Sequence, residues 1–149
     1  MIVGVGLGLF FLVKSKTYES FQYDSKSEII IKKIKQNIIK LFYKKKFSGV
    51  LKILNSKNIL DYIYIQYGPQ SFTINKKNIS LCLKNNKTGI YYDENSLMYV
   101  VLHELAHVIC PDIGHTDRFK IIFDALLKHA ERNNMYHPNI PFVENYCPS

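Results

Sequence analysis

The segment Leu102-His103-Glu104-Leu105-Ala106-His107-Val108 carries the spacing HExxH. On a helix, residues four apart share a face, so the two imidazoles can converge on one metal ion. Zn2+ suits such a pair: it takes neutral imidazole nitrogens at about 2.0–2.1 Å, and catalytic sites keep one position open for water. Glu104, next to the first ligand, stands where it can accept that water's proton and deliver it to a leaving amine. The chemistry expected is hydrolysis of a peptide bond, with a protein or peptide as substrate. The competing reading is two histidines and a glutamate on a solvated helix face. Against it stand the apolar residues Leu97, Met98, Val100, Val101 and Leu102 just upstream, which call for burial of this helix, and the small Ala106 beside the ligands.

A third ligand is required, and His115 follows His107 by eight residues across Pro111-Asp112-Ile113-Gly114. The Pro/Gly turn lets the chain reverse, so His115 is the expected ligand, with Asp112 or Asp117 as carboxylate alternatives. His129 and His137 have no partner at a ligand spacing. Cys110 lies close to the motif but reads as a small apolar residue at a helix end rather than a ligand.

The positions of these residues depend on the elements around them. The HExxH helix is expected from about Asn95 to Ile109, capped by Asp93 or Asn95 and ended by Cys110-Pro111. A second helix is expected from about Thr116 to Asn133, capped by Thr116, with Asn133-Asn134 at a left-handed terminus. Upstream, Ile30, Ile31, Ile34, Ile38, Leu41 and Phe42 recur at three- and four-residue steps with lysines between them. That pattern predicts an amphipathic helix capped by Ser25 or Ser27, with a basic outer face. Tyr62 to Tyr67, Ser71 to Asn75 and Asn78 to Leu83 read as short strands, with Gly68-Pro69 and Lys76-Lys77 at the turns. A further extended stretch follows at Ile90 to Tyr92. The tail from Met135, with Pro138, Pro141 and Pro148, is expected to be irregular. The fold class is α+β, with a domain over residues 26–149.

HELAH, a short Pro/Gly loop and then GHTDRF (Gly114 to Phe119) resembles the WLM and SprT-like zinc metallopeptidases. Their pattern is HExxH, a variable loop, and a third His followed four residues later by Phe, here His115 and Phe119. The resemblance spans about Ile79 to Asn133. It implies His103, His107 and His115 as zinc ligands, Glu104 as the catalytic base, and a small antiparallel sheet whose edge can take an extended substrate. Some members cleave proteins crosslinked to DNA; the zinc finger, ubiquitin-binding tail and Arg cluster that often accompany them are not recognisable in this chain.

Composition sets the outer bounds. The chain has 149 residues and 47% hydrophobic content, including 11 Tyr and 9 Phe, enough for one domain around one core. Its net charge of +8 brings anionic partners into view, with nucleic acid a weak expectation. The charge comes almost wholly from Lys, a less specific reader of bases than Arg. Cys82, Cys110 and Cys147 are odd in number and form no CxxC pair, which argues against a disulfide framework and for a reducing compartment. Residues 1–13 are uncharged and apolar and are followed by Lys14 and Lys16. Three readings compete for them: a short membrane anchor, a signal-like segment, or a buried first element. The anchor is preferred, joined through a linker over 14–25 to a cytoplasmic domain by the positive-inside rule. Beside the peptidase stands a reading of another class, a catalytically weak metal-binding module acting at a membrane or on nucleic acid. Glu104 favours the enzyme, since a structural zinc needs no base.

Overall fold

The computed structural model describes residues 24–56 and 58–148. The apolar segment 1–13, expected as an anchor, and nearly all of the linker lie outside them. Among the described residues, no helix is long and apolar enough to cross a membrane.

Helix α1 spans Ser25–Phe42 and buries Ile31, Ile34, Ile38, Leu41 and Phe42 along one face. Its cap is Asp24, whose carboxylate accepts from the Ser27 amide, and not Ser25 or Ser27. Ser27 is buried and its hydroxyl donates to the same carboxylate, so the serine supports the cap instead of forming it. A 3-10 helix (Gly49–Asn55) and a single turn, α2 (Ile59–Tyr62), lead into the sheet. Tyr62 is therefore helical, and strand β1 is shorter than its β-branched and aromatic run, at Tyr64–Tyr67.

β2 (Phe72–Ile74) and β3 (Asn78–Leu81) complete a sheet of order β1-β3-β2. The sheet is mixed, not antiparallel as the family resemblance implied. β2 and β3 form an antiparallel hairpin, but β1 runs parallel to β3, with Ile65 opposite Ile79. The chain crosses from β1 to the far side of β3 before making the hairpin, which puts β3 in the centre. There Ile79, Ser80 and Leu81 are all buried, as a strand covered on both faces requires. Gly68 permits the crossing: a Cβ on it would stand 2.5 Å from the Ser80 hydroxyl oxygen. The stretch around Ile90 to Tyr92 contributes one isolated bridge, Lys84 with Tyr91.

Helices α3 (Glu94–Ile109) and α4 (Asp117–Arg132) pack against each other and, with α1 and the sheet, enclose one hydrophobic cluster. Asp93 caps α3 and Thr116 caps α4, and Asn134 takes the left-handed conformation at φ 56°.

The irregular tail is firmly attached. Cys82 and Cys147 form a disulfide that closes a 65-residue separation, against the expectation from their odd number. Parity only required that one cysteine be left over, and that one is the buried Cys110. With two of three cysteines paired, their number lends no support to a reducing compartment. Closing a loop of this length contributes about 4 kcal/mol in the chain-entropy account. Beside the disulfide, the Tyr146 hydroxyl donates to the Cys82 carbonyl and receives a bond from Ser71. Burial pushes this phenol up to about 12.

Candidate metal centre

His103, Glu104 and His107 sit on the C-terminal half of α3. Beyond its first turn this helix is buried except along Tyr99, His103 and His107, a line of residues spaced by four. Its long apolar run thus leaves the imidazoles facing the one open stripe. After Cys110-Pro111 the chain reverses through Gly114, whose φ of 80° is costly for any residue with a side chain, and returns His115 to the open stripe.

The three histidines meet. The Nε2 atom of His115 lies 3.1 Å from that of His107 and 3.1 Å from that of His103. Ring centroids are 4.9–5.0 Å apart on all three sides. Imidazole nitrogens bound at about 2.0–2.1 Å to one tetrahedral ion stand about 3.3 Å apart, so these separations fit a single shared ion. The cluster His103, His107 and His115 could hold a metal ion. Asp112 and Asp117 are not part of it. The Asp112 carboxylate accepts from the Thr116 hydroxyl and pairs with Arg118, and Asp117 opens α4. His129 instead bonds the Leu41 carbonyl.

Phe119 provides the floor of the cluster. It is 2% exposed, stacks on His107 at 4.3 Å, and meets His103 and His115 edge-on at 5.0 and 4.9 Å. The one-turn spacing from His115 to Phe119 therefore has a packing cause: the ring one turn into α4 lies under all three imidazoles. Burial, followed by the proximity of His107 and His115, lowers the His103 pKa to about 4. Burial, with His115 and Lys76, also lowers that of His107. Burial thus favours the neutral form of both rings, the form that ligates metal.

Glu104 is 5% exposed and accepts a 2.6 Å hydrogen bond on Oε2 from the Thr73 hydroxyl. Burial raises its pKa, and the Thr73 bond works in the opposite direction. Glu104 and the three histidines share a cleft of about 590 Å³ with Ser71, Phe72, Thr73 and Lys76.

Thr73 and Lys76 were not legible as site residues. Each comes from the β2–β3 hairpin, some thirty residues from the motif it touches, and neither belongs to a spacing pattern. One local signal was present. Pro111 stands four residues after His107 and has no N–H, so the His107 carbonyl needs a donor from elsewhere. The Lys76 ammonium supplies it at 3.0 Å.

Over 146 residues the chain is 48% identical to the uncharacterized protein 136R of Invertebrate iridescent virus 6, an alignment covering 93% of this chain and 82% of the relative. It is 41% identical over 153 residues to the uncharacterized protein 042R of Invertebrate iridescent virus 3, covering 99% and 96%. A shorter match, 54% over 67 residues, is to the uncharacterized protein R325 of Acanthamoeba polyphaga mimivirus, covering 44% of this chain and 34% of that one. No family model and no solved structure matches.

Proposed function

The chain belongs to one family with proteins 136R and 042R of the invertebrate iridescent viruses, and we propose that it is a zinc-dependent peptidase of the WLM and SprT-like kind. The observation that carries this reading is the convergence of three Nε2 atoms beside a buried carboxylate in one open cleft. Three nitrogen ligands that leave a coordination position free are the donor set of catalytic zinc, whereas structural zinc sites are closed by four protein ligands. Zinc in such a site supplies a water acidified to a pKa of about 7 and polarisation of the substrate carbonyl.

The chain's own residues do the rest. Glu104 takes the proton of the attacking water and returns it to the leaving amine. Its burial raises its proton affinity toward the range where one carboxylate serves as both base and acid. Thr73 holds one carboxylate oxygen and so fixes the plane of the group. β2 is an edge strand whose Phe72 and Thr73 line the same cleft, and an extended peptide lying along it would present its carbonyl to the histidines.

Glu104→Gln tests the assignment. It keeps the shape and hydrogen-bonding capacity of the side chain but removes the base, so zinc should remain bound while cleavage of a proteome-derived peptide library falls by about 10²–10⁴-fold. Cleavage by the variant at the wild-type rate contradicts the mechanism. Cleavage by neither protein, with zinc bound to both, favours a metal-binding module.

A further inference from the structure

The Lys76 ammonium has three N–H donors, and each finds a backbone carbonyl. It donates to His107 at 3.0 Å, to Asp112 at 2.9 Å, and to Cys110. The first two residues in chain order, His107 and Cys110, lie in the last turn and at the C-cap of α3, and Asp112 begins the loop that carries His115. A cation at a helix C-terminus is favoured by the helix dipole and by the unpaired carbonyls there. Here the need is greater, since Pro111 cannot serve the His107 carbonyl.

The backbone of Lys76 gives a second, independent observation. Asn75, Lys76 and Lys77 join β2 to β3; the Lys77 N–H donates to the Ile74 carbonyl, and the two central residues of that turn, Asn75 and Lys76, both have φ 52°. Hairpin turns with positive φ at both central residues favour Asn-Gly, which would place glycine at position 76. Lysine is less favourable there than glycine, and the three carbonyl contacts of Lys76 are ones that glycine could not make.

We infer that Lys76 is a positioning residue for the metal centre, tying the end of the HExxH helix to the His115 loop so that the third ligand is held in place before metal arrives. The inference rests on the three-histidine metal reading. Without the ammonium, the carbonyls of His107, Cys110 and Asp112 lose the donor they share and the loop loses its tie to the hairpin, so His115 must be ordered at the expense of binding.

The test compares the full chain with Lys76→Met, Lys76→Gly and His115→Ala, each titrated with zinc against a chromophoric chelator and separately with cobalt. Both Lys76 variants should bind zinc about tenfold or more weakly, the loss typical when a group supporting a metal ligand is removed. Their cobalt absorption should shift toward that of His115→Ala, a signature that general destabilisation would not produce. Lys76→Gly relaxes the turn and so separates ligand positioning from folding: it should be folded and still bind weakly. Wild-type affinity and an unchanged cobalt spectrum in both variants would overturn the inference alone. Failure of the wild-type chain to bind zinc would overturn it together with the metal reading beneath it.

Discussion

Helices α1 and α3 are of similar length and both line the same core, yet they are built differently. α1 buries six of its eighteen residues in a single stripe and turns its lysines outward. α3 buries eleven of sixteen, and past its first turn only Tyr99, His103 and His107 reach the surface. A helix with one buried stripe can shift slightly on its core without consequence. A helix enclosed on nearly every side cannot, and the two histidines it carries are held in place against His115 and Phe119, which come from outside it. The amphipathic helix is thus scaffold, and the enclosed helix is the element suited to hold a metal geometry.

The largest difference between them should appear on truncation. Leu105, on α3, is wholly buried, and Leu105→Ala should destabilise by about 2–5 kcal/mol in urea unfolding. Ile29, on the outer face of α1, is 68% exposed, and Ile29→Ala should stay within about 0.5 kcal/mol. An equal cost at the two positions would mean that the outer face of α1 is covered by something and that the contrast is misdrawn.

A smaller effect belongs to the start of α1. Asp24 accepts from Ser27 and Tyr91 and pairs with Lys84, and the Ser27 hydroxyl bond foremost holds its carboxyl below the ordinary range. Asp24→Ala should cost about 1 kcal/mol at neutral pH. Because the folded state lowers this pKa, its contribution is fully present above the unfolded value of about 3.9 and is lost as pH falls toward the folded one. Thermal melts of wild type and variant should therefore converge progressively below about pH 4. A gap that is constant with pH would show that the carboxylate's charge is not what the cap uses.

What the sequence disclosed followed chain distance. The HExxH face, the Asp93 and Thr116 caps, the stripe of α1 and the return of His115 all depend on residues within a few turns of one another, where periodicity and turn chemistry act. Thr73 and Lys76 reach the site only through the pairing of β2 with β3, and Cys147 reaches Cys82 only once the tail has returned past the start of α3. No local pattern encodes those meetings. The start of β1 was misread for a related reason: Tyr62 and Ile63 have the composition of a strand, but the turn Ile59–Tyr62 buries Ile59 and takes the first of them into a helix. Counting cysteines could not reveal which two would end 6.3 Å apart at their Cα atoms.

The claim on which the rest depends is that His103, His107 and His115 form one metal site, and metal content of the purified full chain by native mass spectrometry tests it most directly. The account predicts about one zinc per chain in the wild type and none retained by His103→Ala or His107→Ala, since two ligands cannot replace three. Stoichiometric zinc surviving in either variant, or a wild-type chain that takes up no zinc, would contradict it.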